Sequence, residues 1–320
     1  YGFGNSPVCQ YRAITSKSIN FLKSMKGKQN MKSRIYPFYF VIGTLCLYLL
    51  LFVVPSIMGL FYSFTDWSSY SEEINYIGLE NFKIIFSPEE HYFSALSNTV
   101  WFTVATTILK TGLGIVFALI LNEGVLFRNF HRGLIFMPSI LSFIIVGLIF
   151  KSILNPETGL LNVFLNRIGL SFLAKQWLVD LKYAFNSIIA VDTWKGLGYI
   201  MTIIIAGLQS IPPEYYEAAD IDGAHYFSKL RYVTLPLLKP AITITIVLNV
   251  LYGLKIFDTV YVLTNGGPGY ATEVLYTSVF REFGLGRYGV GTAMSTVLFV
   301  MMSVIGYFTV KLLDRKEVEF

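Results

Sequence analysis

The stretch Pro213–Pro240 reads PEYYEAADIDGAHYFSKLRYVTLPLLKP, and its reading decides how the rest of the chain is organised. It is the long polar run between apolar segments that looks built for a partner. Ser210 is a good N-cap residue, Pro212 and Pro213 suit the start of a helix, and Glu214 and Glu217 fall in its first turns. Ala218, Ala219 and Asp220 continue that helix. Gly223 can end it in a left-handed conformation without a Cβ clash. A second helical segment is expected over Ala224–Leu235, with Phe227, Leu230 and Leu235 apolar and Lys229 and Arg231 charged. Pro236 then leads into the next hydrophobic run. From residue types alone, an ordinary interhelical loop and a docking element remain equally open.

The spelling narrows the choice. Glu217-Ala218-Ala219, Asp222-Gly223-Ala224, Val233-x-Leu235-Pro236 and Pro240 together resemble the EAA loop of binding-protein-dependent ABC importer permeases. In that family the loop is a cytoplasmic coupling helix that docks into a cleft on the ATPase subunit. The resemblance therefore assigns ATPase coupling to Glu217, Ala218, Ala219, Asp222, Gly223, Ala224, Leu235 and Pro236. Leu230 stands where the family often has Phe, and Val233 where it often has Ile; both departures are conservative.

Composition agrees with a membrane protein. Of 320 residues, 54% are hydrophobic and 14% charged, and the mean hydropathy is +0.58. Soluble domains carry about 25% charged residues. Cys9 and Cys46 make no disulfide framework, and His91, His131 and His225 have no metal-ligand spacing. The sequence contains no Walker A glycine loop, GxSxG or HExxH, so no catalytic equipment or cofactor is expected in this chain. The net charge of +5 is concentrated at the start. Residues 1–35 carry Arg12, Lys17, Lys23, Lys26, Lys28, Lys32 and Arg34 and no acid, which fits a cytoplasmic flank under the positive-inside rule and not a nucleic-acid arm. The tail lacks a signal-peptide cleavage site. Met31-Lys32-Ser33-Arg34 reads as a plausible start of translation, so residues 1–30 are expected to be disordered or not natively made.

A membrane helix needs about 20 mostly apolar residues. The expected organisation is a tail over 1–35, a first span over 36–64 with a kink at Pro55 and Gly59, and an acidic outer loop over 65–97. A permease core follows over 98–312, then a cytoplasmic tail over 313–320. Within the core, spans are expected over Asn98–Asn122, Gly133–Leu154, Ala184–Leu208, Leu237–Phe257 and Gly289–Leu312, with the coupling loop over 212–236. Arg128 and Arg132 mark an inner turn, Trp177 suits an interface, and Asn265–Gly269 is a tight turn in an outer loop. Six spans put both termini inside, with Lys311, Arg315 and Lys316 at the end. The fold class is an all-α membrane protein with six transmembrane helices. Long apolar runs without period-two alternation exclude a barrel.

Polar groups at membrane depth line water or protein. On the fifth span, Asn249, Tyr252 or Gly253, and Ile256 fall on one helical face. On the fourth, Asp192 and Gly196 are one turn apart. A carboxylate accepts hydroxyl protons and a ring stacks on a sugar face, so these residues suit a polyhydroxylated ligand or, equally, helix packing. Lys110 and Lys255 either neutralise an acidic sugar or pair with Asp192 and Asp258; residue types leave both open.

The wider pattern is similar to the carbohydrate permeases of the maltose and glycerol-3-phosphate importer group over most of Met31–Arg315. It includes Gly159-Leu160-Leu161-Asn162, Trp194-Lys195-Gly196, Ala206–Pro212 and Leu263–Gly269. The resemblance implies the type I ABC importer permease fold. It also implies a substrate pathway bordered by Asp192, Trp194, Gly196, Tyr252, Gly253, Lys255 and Ile256. Relatives often present amides where this chain has Asp192, Gly253 and Ile256, so a substrate other than maltose is expected. The implied partners are a second homologous permease, two ATP-binding subunits that carry ATP and Mg, an extracytoplasmic solute-binding protein and a carbohydrate. Two other classes stay open: an importer of a non-sugar solute, and a stand-alone secondary transporter, which would need mirrored halves and ion-coupling residues.

Overall fold

Pro55 and Pro236 lie inside helices, and each follows a widened turn. Proline removes an amide donor, and its ring clashes with the carbonyl four residues back. Before Pro55 the chain forms a π-turn over Leu49–Val53, closed by the Val54 N–H donating to the Leu49 carbonyl. Before Pro236 a π-turn covers Leu230–Thr234, closed by the Leu235 N–H donating to the Leu230 carbonyl. The wider turn moves the obstructing carbonyl aside, so both helices run on through the proline.

This computed structural model describes residues 39–87 and 91–314. The basic tail with Cys9, the start at Met31, Glu89, Glu90 and the terminal Arg315 and Lys316 lie outside them. The described residues fall into two units divided between Met58 and Gly59. The first contains most of helix α1 (Val41–Tyr62), where Tyr48 stacks on Phe52 one turn later.

The second unit is a set of helices. In chain order they are α2 (Glu80–Phe86), α3 (His91–Asn122), α4 (Arg128–Ile140), α5 (Phe143–Ile153), α6 (Leu160–Arg167) and α7 (Ala184–Gln209). Then come α8 (Glu214–Ile221), α9 (Tyr226–Leu237), α10 (Lys239–Leu254), α11 (Asp258–Leu263), α12 (Leu275–Gly284) and α13 (Tyr288–Asp314). Among the described residues there is no strand, only an isolated bridge between Thr65 and Tyr76. Helices α1, α3, α7 and α13 are long and apolar enough to cross a membrane. The pairs α4/α5, bent by 97°, and α9/α10, bent by 63°, bring the count to six if each pair is one crossing.

Helix α3 shows why this chain needs a membrane. Thr99, Thr103, Thr106, Lys110 and Thr111 are buried, whereas Trp101, Ile108 and Val116 are exposed. The buried hydroxyls of Thr99, Thr103 and Thr106 donate to carbonyls one turn back. A helix with its polar side inward and its apolar side outward is stable only where the surroundings are apolar. Helices α7 and α10 pack on this polar face, and α4 packs on α7. Small residues permit the close approach: a Cβ on Gly198 would fall on the Ile135 carbonyl, and one on Gly253 would lie 2.8 Å from the Thr103 Cα.

Several boundaries differ from expectation. The third span, expected as one run over Gly133–Leu154, is two helices with a break at Leu141 and Ser142. Both Pro138 and the extended backbone at Leu141 oppose a continuous helix. Ser210 does not cap the helix of the polar stretch. It ends α7, and its hydroxyl donates to the Gly207 carbonyl at 2.7 Å. The second helix of that stretch begins at Tyr226 and not at Ala224. The expected fifth helix stops at Leu254, so Ile256 is not on its face.

Candidate functional site

One turn-spaced set on α7, Asp192, Lys195, Gly196 and Tyr199, faces a cavity of about 340 Å³. Leu248, Asn249 and Tyr252 from α10 form the opposite wall, with Lys110 of α3 and Ser139 and Phe143 at the α4/α5 break. Lys110, Asp192 and Lys195 are almost fully buried, at 3%, 1% and 6% exposure. The Lys110 ammonium lies 2.5 Å from Asp192 Oδ2. Asp192 Oδ1 accepts the Tyr252 hydroxyl at 2.7 Å and the Thr259 hydroxyl at 3.3 Å. One carboxylate thus ties together α3, α7, α10 and α11. Gly196 leaves space for the Lys110 side chain, since a Cβ there would stand 2.8 Å from Lys110 Cε.

Lys195 is held differently. Ser139 Oγ donates to the Lys195 carbonyl at 2.8 Å and accepts the Tyr199 N–H at 3.2 Å, crossing from the α4 end to α7. The Lys195 ammonium sits 3.6 Å above the Phe143 ring and donates to the Ser139 carbonyl at 3.5 Å. Phe143 in turn stacks on Tyr252 with ring centres 6.0 Å apart. Tyr199 is half exposed and marks the open side. Among the described residues no cluster of three metal-ligating side chains is present.

The polar stretch forms a second exposed feature between α7 and α10. Helix α8 ends at Ile221 with Asp222 as its C-cap, and Gly223 has φ +72°. Gly223 N–H donates to the Asp220 carbonyl at 3.0 Å and Ala224 N–H to the Ala219 carbonyl at 2.9 Å, a Schellman cap. The Asp220 carboxylate meets Lys229 of α9 at 2.5 Å, and the Tyr216 and Thr234 hydroxyls pair at 3.2 Å. Two apolar side chains near the bend, Ile221 and Phe227, are 88% and 79% exposed.

Residues 110–318 match the family described as binding-protein-dependent transport system inner membrane component. The chain belongs to that family. The permease is 36% identical over 270 residues to the trehalose/maltose transport system permease protein MalF of Thermococcus litoralis, covering 82% of this chain and 89% of that one. It is 33% identical over 283 residues to the probable ABC transporter permease protein YurN of Bacillus subtilis, covering 88% and 96%. Its fold matches a chain of a bacterial alginate ABC transporter crystallised with an alginate pentasaccharide-bound periplasmic protein. That match has a TM-score of 0.75, 25% identity, and coverage of 92% and 96%.

Of the residues the sequence placed on a substrate pathway, Asp192, Gly196 and Tyr252 line the permease cavity. Trp194 is partly exposed with its indole edge-on to Phe150 at 5.1 Å. Gly253 is packed against Thr103, Lys255 is exposed past the end of α10, and Ile256 belongs to the core with Ile188 and Val260. These four do not line the cavity. Lys110 takes the Asp192 pairing and not a free role. The cavity residues that sequence reasoning missed are Lys195, Phe143, Ser139 and Tyr199, with the apolar Ile200 and Leu248. Lys195 was findable, since a lysine inside an apolar span is itself a functional signal.

Proposed function

We propose that this permease forms half of the translocation path of an ATP-driven carbohydrate importer, with the Lys110–Asp192–Tyr252 cavity on that path. Glu217, Ala218, Ala219, Asp222, Gly223, Ala224, Leu235 and Pro236 engage ATPase subunits. The observation that carries the reading is the exposed α8–bend–α9 unit, joined to the two helices, α7 and α10, that wall the cavity. A push on the bend reaches α7 through α8 and α10 through α9. The sugar class is supported by the relatives' names, the trehalose/maltose permease among them. The binding-protein partner is supported by the complex in which the alginate transporter was seen.

In this reading both termini and the α8–α9 loop lie in the cytoplasm, with the 65–97 and 258–288 segments outside. The domain plan is that of a tail over 1–35, a first span over 36–64 and a core over 98–312. A second homologous permease supplies the other half of the path, and two partner ATPases hold ATP and Mg. A solute-binding protein delivers the sugar. ATP-driven closure of the ATPases moves the coupling helices and alternates access, and the sugar acts through its differential affinity for the two states. Co-expression of this chain with its genomic neighbours tests the reading. An ATPase should co-purify, its activity should rise with sugar-loaded binding protein, and Glu217→Lys should abolish co-purification. A well-folded permease that recovers no ATPase would sink the proposal.

A further inference from the structure

Helix α6 stands between α5 and α7, two elements apolar enough to belong to membrane crossings, and it has three different sides. One side is packed: Leu161 rests on the core that includes Val146, Ile188 and Val260. Asn162 is buried there and fastens the helix. Its amide donates to the Pro156 carbonyl at 3.0 Å and the Lys175 carbonyl at 2.9 Å, and its oxygen accepts the Trp177 indole N–H at 2.8 Å. A second side is polar and open, with Asn166 and Arg167 exposed. The third is apolar and open: Leu160, Phe164 and the C-cap residue Ile168 are 70%, 59% and 50% exposed. Spaced four apart, at about 100° per residue, these three form a stripe about a quarter of the circumference wide. That stripe lies between the packed side and Arg167. None of these residues lines the cavity or belongs to the coupling stretch.

We propose that α6 lies in the membrane surface at the end of α5, with Leu160, Phe164 and Ile168 among the acyl chains and Arg167 on a lipid phosphate. A helix that met only protein and water would need one apolar side, and Leu161 already supplies it. A second apolar side suits a third surrounding, and an interfacial helix has protein, acyl chains and water around it. The surface that α5 brings to the same end is apolar too, with Ile144, Ile145, Leu148 and Ile149 exposed. The Asn162–Trp177 clamp keeps the stripe from turning inward. A protein occupant fits less well, because a stable protein interface takes about 20–30 residues a side and the stripe offers three. Arg167 stands at the stripe's edge, where a long apolar stem can lie along acyl chains while the guanidinium reaches the headgroups.

The test uses the full chain co-expressed with its genomic neighbours and kept in the membranes where it is made. The photoreactive p-benzoylphenylalanine replaces Phe164 or, for comparison, Asn166 on the polar side. After irradiation the adducts are identified by mass spectrometry. Phospholipid adducts should form at Phe164 about fivefold or more above Asn166, since acyl chains reach one side of an interfacial helix and water the other. Arg167→Glu should lower the Phe164 lipid adduct about threefold and Arg167→Lys should keep it, because a cation at this depth gains from the headgroup phosphates. A Phe164 adduct with a co-expressed subunit, or with another segment of this chain, would make the stripe a protein contact and overturn the proposal. Lipid adducts equal at the two positions, or absent from both, would overturn it as well. An Arg167→Glu variant with unchanged lipid adducts would remove the phosphate contact. If the Phe164 replacement does not accumulate, Ile168, one turn on along the same stripe, carries the probe and is read against the same outcomes.

Discussion

Lys110 of α3 and Asp192 of α7 form an ion pair at 2.5 Å with side chains 3% and 1% exposed, and the residue that makes room for it is Gly196. Removing one member of such a pair leaves a bare charge, which costs about 3–5 kcal/mol in buried sites. Asp192→Ala and Lys110→Met are each expected to lower the yield of folded permease and its thermal midpoint. The double change Lys110→Met with Asp192→Leu should recover much of that loss. Size-exclusion profiles and thermal unfolding in detergent check this. Equal losses in single and double variants would mean the pair contributes through packing alone.

Gly196→Ala probes the same pair without altering a charge. The new Cβ meets Lys110 Cε at 2.8 Å, and the far end of a flexible side chain can move. The expected outcome is normal assembly with reduced uptake, because the ammonium is displaced into the cavity. Unchanged uptake kinetics would detach the Lys110 position from transport.

Gly223 holds φ +72°, and a Cβ there meets nothing within 4 Å, so substitution strains the backbone without a clash. Left-handed backbone costs an ordinary residue about 1–2 kcal/mol. Gly223→Ala should leave membrane insertion intact and weaken ATPase co-purification, with Gly223→Asn milder. Gly223→Pro, whose ring forbids the conformation, should abolish coupled transport. Full coupling in the proline variant would remove the bend from the docking unit.

Glu273, in the segment between α11 and α12, is fully buried and pairs with Arg281 at 2.9 Å. Burial raises its carboxyl above the ordinary 4.5, and the Arg281 guanidinium partly opposes the rise. With the folded value above the unfolded one, its contribution to stability is complete below pH 4.5 and is lost as pH rises through the raised value. Arg281→Met removes the opposing cation. Its thermal midpoint should fall well below that of the unaltered permease at pH 7 and recover as pH is lowered toward about 5. A deficit independent of pH would assign Arg281 to packing.

The polar stretch shows how much was legible in residue order. Gly223 was readable as a helix end because a left-handed residue has few alternatives to glycine, and the chain turns there with the expected cap. Ser210 misled, since the same hydroxyl can close the helix behind it as readily as cap the one ahead. Periodicity placed Ile256 with Asn249 and Tyr252, but periodicity holds only while the helix lasts, and α10 stops at Leu254. The third span looked continuous because apolar composition carries no direction, and a 97° bend leaves hydropathy unchanged.

The sequence by itself determined that the chain is helical, that it belongs in a membrane, and where a glycine must stand in the polar loop. These follow from local chemistry: apolar run length, backbone conformational limits and the spelling of one stretch. Only the tertiary structure decided which of the buried charges cancel. Lys110, Asp192 and Lys195 are all lysines and carboxylates in apolar runs, and nothing in their order says which pair. The packing of α3 on α7 brings Lys110 to Asp192, with the Lys110 chain passing over Gly196. The α4/α5 break brings only a ring face and a carbonyl to Lys195.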